Sequence, residues 1–256
     1  MSHAISDTFV LAKRNLIRII RAPDLLTAFT IQPVMFVLLF VYVFGGAIQV
    51  PPIYDGYADF LIPGILVQNI AFGGFATAIG LCADLQLGLI DRFRSLPMAR
   101  SAVLAGRTVA DIATNLLSMS IVTGVGLLVG FAFNAPIGNV LLGILLMIML
   151  GYACSWVFAY IGMISSTPDA ANAIGFMTIF PLTFISSAFV PVESMPASLE
   201  AFAVANPFTT FVDAMRHLWQ GAPANTDVWM AFLWTIGITI VFFFISTATY
   251  KRATAK

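Results

Sequence analysis

The chain has 256 residues, 60% of them hydrophobic and only 9% charged, where soluble domains carry roughly 45–50% and about 25%. With a mean hydropathy of +0.96, this excludes a soluble cytoplasmic enzyme, a disordered tail and a secreted disulfide scaffold, and marks an integral membrane protein. Twelve Lys and Arg balance twelve Asp and Glu, so no bulk basic surface points to nucleic acid. Cys82 and Cys154 lie in apolar surroundings and read as small core residues rather than a disulfide or metal pair.

In chain order, residues 1–22 are predicted to form an amphipathic helix. At about 100° per residue, Ile5, Phe9, Ala12, Leu16, Ile19 and Ile20 share one face, and Arg14, Arg18 and Arg21 the other. That pattern suits a helix lying in the inner headgroup layer, either as a topogenic anchor alone or also touching a cytoplasmic partner. Pro23 ends it. Charges at Asp7, Lys13, Arg14, Arg18 and Arg21 before any apolar run argue against a signal peptide.

Five charge-free windows follow, 25–54, 60–83, 112–168, 170–192 and 228–250. About 20 apolar helical residues cross a bilayer core, so the third window must fold back on itself. Asn134-Ala135-Pro136-Ile137-Gly138-Asn139 at its middle is turn composition. The predicted fold is all-α and a single domain over 1–256, with six transmembrane helices at 25–47, 59–83, 111–133, 138–164, 170–190 and 228–250. The windows lack the period-two alternation of a β-barrel. Six spans put both termini on one side, and eleven of the twelve basic residues then fall on that side, leaving Arg216 opposite. The positive-inside rule makes the termini and the 84–110 loop cytoplasmic, in a multi-pass cell membrane protein.

The 84–110 loop places charge beside a large aromatic at Asp91-Arg92-Phe93-Arg94, and Pro97 closes a short helix. It is either a solvated topogenic loop or a helix that docks into a soluble partner. Arg107 and Asp111 are spaced i, i+4 and can pair. In the 191–227 segment, Pro191 and Pro196 punctuate a short helix to about Ala205. Asn206-Pro207 supplies an N-cap followed by proline at the first helical position, and Gly221 and Pro223 supply the stop. Phe202, Phe208, Phe211, Leu218 and Trp219 make these helices too apolar for water, so they are expected to re-enter the outer membrane edge. There Asp213 and Arg216, at i, i+3, satisfy each other. His217 reads as an interfacial tip rather than a ligand.

No catalytic or nucleotide-binding motif is present: no H-E-x-x-H, G-x-S-x-G, P-loop or Rossmann fingerprint. No ionisable residue sits at mid-depth in a span, which argues against proton- or sodium-driven transport. Any transport energy therefore comes from another chain. Uncharged polar residues Gln32, Gln68, Asn69, Thr77, Thr114, Asn115, Ser118, Asn172, Thr178, Thr183, Ser186 and Ser187 are candidates for a path inside the bundle. Phe176, Phe180 and Phe184 recur at i, i+4, i+8, as a helix-packing stripe or a greasy wall for a hydrophobic substrate.

The organisation resembles the permease subunit of type-two ABC exporters. The run D-L-Q-x-G-x-x-D-R-F-R-S-L-P-M-x-R from Asp84 to Arg100 is similar to the daunorubicin/doxorubicin-resistance branch. So is F-V-P-x-x-x-M-P-x-x-L from Phe189 to Leu199, with Pro191, Met195 and Pro196, followed by Asn206-Pro207. The resemblance implies a dimer of permeases, of this chain or with a sister subunit, bound to two separate ABC ATP-binding subunits that hold ATP and Mg. This chain itself would be no enzyme and hold no cofactor. By position Asp91, Arg92, Arg94, Leu96 and Pro97 would couple to the ATPase, and Gln68, Asn69, Phe176, Phe180 and Phe184 would wall the path. The expected cargo is a hydrophobic or amphipathic compound, a drug or lipid-like metabolite. The alternatives are a polysaccharide or lipid-linked glycan exporter of the same fold and a non-transport membrane scaffold or enzyme.

Overall fold

The computed structural model describes residues 23–87, 100–222 and 227–253, and every regular element among them is helical. Helix α1 runs Pro23–Leu39 and continues as a π turn, Phe40–Phe44. Then come α2 (Tyr57–Phe72), α3 (Phe75–Gln86), α4 (Arg100–Leu128), α5 (Ile137–Ile164) and α6 (Pro168–Phe184). A 3-10 turn at Val192–Ser194 leads to α7 (Ala197–Ala205), α8 (Pro207–Gln220) and α9 (Asp227–Ala253). The interfacial helix expected over 1–22 lies outside the described residues. So do Asp91, Arg92, Arg94, Leu96 and Pro97, and the side chain of Arg107.

Four helical stretches are long and apolar enough to cross a membrane: the α2–α3 run Tyr57–Gln86, then Ala110–Leu128, Ile137–Ile164 and Asp227–Tyr250. The α2–α3 run is the centre of the bundle, with 72% of its most apolar stretch buried against 11% for α9. It packs on α4, α5, α6 and α8, whereas α9 lies mainly along α5 and turns Trp229, Leu233 and Phe244 outward.

Several helix ends differ from the hydropathy reading for identifiable reasons. The helix expected over 59–83 runs as Tyr57–Gln86, and Gly73-Gly74 keep right-handed α geometry at its middle, where a side chain has no room. A Cβ on Gly73 would lie 2.2 Å from the Asn115 amide oxygen, and one on Gly74 2.2 Å from the Phe158 ring. The helix expected over 111–133 begins at Arg100, inside the expected 84–110 loop, and stops at Leu128, because Gly130 takes φ +105° and the Phe131 N–H returns to the Gly126 carbonyl. The helix expected over 170–190 stops at Phe184. Asn206 supplies the reason: its amide nitrogen donates to the carbonyls of Leu182 (2.6 Å) and Ile185 (2.7 Å), so the last turn ends with its acceptors satisfied.

The bundle has two unlike ends. One gathers the connections 45–56, 129–136 and 185–222: Asp59 accepts from the Ala132 N–H, and the Asn134 N–H donates to the Trp219 carbonyl. At the other, Gln86 and Cys82 donate to the carbonyls of Ser166 and Ser165.

Candidate functional site

A cavity of about 410 Å³ opens between α1, α2, α3 and α6. Its walls carry no charge. Four carboxamides line it, Gln32 from α1, Gln68 and Asn69 from α2, and Asn172 from the first turns of α6. The remaining wall is aliphatic and aromatic, led by Phe176, Phe180 and Phe184. All five path residues expected from the sequence, Gln68, Asn69, Phe176, Phe180 and Phe184, therefore meet at one cavity.

The periodicity of α6 explains the aromatic wall, since residues four apart stack on one helix face. The rings of Phe176 and Phe180 are 4.8 Å apart and those of Phe180 and Phe184 4.2 Å. Phe72 of α2 meets Phe176 edge-on at 6.2 Å. Beyond Phe184 the stack leaves the helix and passes to Phe189 (4.9 Å) and on to Phe40 of the π turn (4.6 Å). Asn69 is oriented by its amide N–H, which donates to Ser118 of α4 at 2.7 Å.

The other uncharged polar residues read as path candidates lie elsewhere. Thr114, Thr178 and Thr183 donate to the carbonyls of Ala110, Ile174 and Ile179 one turn back in their own helices. Thr77 and Ser155 both donate to Asp111, joining α3, α4 and α5 at a buried point. Asn115 packs against Gly73 and Gly151. Ser186 and Ser187 belong to the non-helical segment after α6.

That segment is where Arg216 acts. Its guanidinium is 3% exposed and lies 3.5 Å over the Phe60 ring. Nε donates to the Phe60 carbonyl (3.0 Å), one terminal nitrogen to Asp213 (2.9 Å), and the other to the Ser187 carbonyl (2.6 Å). Asp213 also accepts from the Ser187 hydroxyl at 2.8 Å. The sequence foresaw the Arg216–Asp213 pair but not its reach into α2. On the adjoining connection, burial pushes the Tyr54 phenol above its ordinary value while Arg216 draws it back, and its ring meets Phe60 edge-on. His217 directs Nδ1 to the Ala222 carbonyl at the C-terminus of α8.

The outer-motif residues serve as helix punctuation. Pro191 precedes the 3-10 turn, Met195 closes it, and Pro196 caps α7. Asn206 caps α8 by accepting from the Phe208 N–H at 3.0 Å, with Pro207 at the first helical position. Gly221 ends α8 at φ +70°. Among the described residues, no group of His, Cys, Asp and Glu is arranged to hold a metal ion.

Residues 6–219 match the profile of the ABC-2 type transporter family. A daunorubicin resistance ABC transporter permease protein of Streptomyces coeruleorubidus is 30% identical, over 98% of this chain and 88% of that protein. A probable doxorubicin resistance ABC transporter permease protein of Mycobacterium tuberculosis is 23% identical, over 97% and 90%. A putative transport permease of Cyanophora paradoxa is 24% identical, over 84% and 75%.

Proposed function

The chain belongs to the ABC-2 type transporter family, and on that premise we propose that it is the membrane-spanning subunit of an ATP-driven exporter. Its cargo is a hydrophobic or amphipathic compound, a drug or lipid-like metabolite, taken from the cytoplasm or inner leaflet. The observation that carries this reading is the cavity: an uncharged, phenylalanine-walled space with a few carboxamides suits an apolar cargo oriented by hydrogen bonds. Relatives named for daunorubicin and doxorubicin resistance support a drug as cargo.

In this reading six helices span the membrane, with α1 and α6 joining the four longer stretches. The termini and the 84–110 loop face the cytoplasm, and α7 and α8 re-enter the outer edge. The loop engages one of two ABC ATP-binding subunits through Asp91, Arg92, Arg94, Leu96 and Pro97, and ATP and Mg reside there. A second permease, identical or a sister chain, completes the dimer.

Charge reversal at Arg92 and Arg94 tests the coupling. Export and stimulation of the partner's ATPase are expected to fall together while the amount of chain in the membrane holds; unchanged export would overturn the assignment. Co-purification in mild detergent separates the exporter from a scaffold or membrane enzyme, which would bring no ATPase with it. The carboxamide-lined side of the cavity favours one second reading, export of a polysaccharide or lipid-linked glycan. Stimulation of ATPase activity by glycans and not by amphipathic drugs would select it.

A further inference from the structure

Residues 185–190 follow Phe184, the last aromatic of the cavity wall, as a strap without helix or strand, and four of them, Ser186, Ser187, Ala188 and Phe189, are buried. A strap buried in this way must place its backbone polar groups on neighbours. The Ser187 N–H takes the Thr209 hydroxyl of α8 at 3.3 Å. The Phe189 carbonyl accepts from the Tyr57 hydroxyl of α2 at 2.9 Å. The carbonyls of Ser187 and Ala188 both face one nitrogen of Arg216, at 2.6 and 3.4 Å. The strap also runs hard against α2, where a Cβ on Gly64 would lie 2.2 Å from the Ala188 carbonyl oxygen. Phe189 lies between Phe184, the last aromatic of the cavity wall, and Phe40.

We propose that Arg216 is a positioning residue that latches this strap across the cavity and so shuts it at its outward end. The guanidinium joins the three elements that would have to part: α8 through Asp213, the strap through Ser187 and Ala188, and α2 through the Phe60 carbonyl and ring. Each is a charge-assisted or ring contact of a side chain that is itself buried, and such bonds are strong and directional. Because the same side chain grips α2 and the strap, an axial shift of α2 of ~1–2 Å, the usual scale of a helix shift, withdraws the Phe60 carbonyl and releases the strap. The α2–α3 run ends at Gln86, where the connection to α4 begins, so a push there reaches Phe60 along one packed element. The part this release plays in export rests on the function proposed above; closure itself does not.

The test uses the full-length chain in intact cells, with Ile65→Cys as reporter. Ile65 lines the cavity next to the strap contact at Gly64. A membrane-impermeant maleimide is added from outside, and the chain without the reporter serves as blank, since Cys82 and Cys154 are both buried. Arg216→Ala is expected to raise the labelling rate at least about tenfold, the change that loss of one charge-assisted bond gives. Gln220→Ala, which frees α8 from Ala132 and Asp59 but not from the strap, should leave it within about twofold of the parent, a change too small for a lost charge-assisted bond. No acceleration in Arg216→Ala, or equal acceleration in both variants, overturns the latch. If Arg216→Ala does not reach the membrane, Arg216→Lys and Phe60→Leu decide by the same comparison. Exposed Glu193→Cys reports orientation separately. If it resists label in intact cells, the outward placement of this end fails, and the latch is judged by the same comparison in inverted vesicles.

Discussion

Two buried ionic centres stand at opposite ends of the bundle, and they are built differently. Arg216 draws on the backbone of its neighbours, binding carbonyls of α2 and the strap with one carboxylate of its own helix. Asp111 draws on side chains, accepting hydroxyl groups from Thr77 of α3 and Ser155 of α5. Backbone acceptors cannot turn away when their donor is lost, whereas a hydroxyl can rotate to another acceptor; Ser155 already has one in the Gly151 carbonyl at 3.0 Å. The first arrangement fixes the position of a segment that has no secondary structure. The second pins helices that are already continuous.

The largest expected effect is therefore at Arg216. Arg216→Ala leaves the buried carbonyls of Phe60 and Ser187 without their donor, at about 1–3 kcal/mol each, and the part-exposed Asp213 without its cation, read as an earlier heat-induced loss of monodisperse protein in detergent. Gly64→Val should follow at roughly 1–3 kcal/mol or more, because the added carbon atoms must displace strap backbone. It should also speed proteolysis within 185–196. Asp111→Asn retains an oxygen for Thr77 and Ser155 and is expected to cost about 1–3 kcal/mol. Ser155→Ala should be smallest, about 1 kcal/mol. If Ser155→Ala matches Arg216→Ala in the same heating experiment, the contrast between the two centres fails.

Much of the scaffold was legible because a bilayer-spanning helix is a long-range average, insensitive to any one residue. The turn at 134–139 and the Asn206-Pro207 start were legible because proline and side-chain caps act locally. The end of α6 was not. Hydropathy runs unbroken from Ile174 to Val190, and what stops the helix is an amide more than twenty residues downstream, brought back by the fold. The cavity was half legible. The i, i+4 spacing on α6 gave the aromatic wall a definite face, while polarity alone could not separate Gln68 from Thr77, since one faces the cavity and the other a buried carboxylate. Arg216 shows the same limit. Its i, i+3 partner is written in the sequence, but its grip on Phe60 spans 156 positions.

The cavity wall has an optical consequence. Its aromatic residues are all phenylalanine, and the four tryptophans of the chain sit at 156, 219, 229 and 234, on α5, α8 and α9. Native fluorescence thus originates away from the cavity: Trp156 and Trp219 report the buried faces of α5 and α8, and Trp229 the exposed face of α9. A Phe180→Trp substitution would put the first indole into the stacked wall, and its emission would follow an aromatic guest at the wall itself.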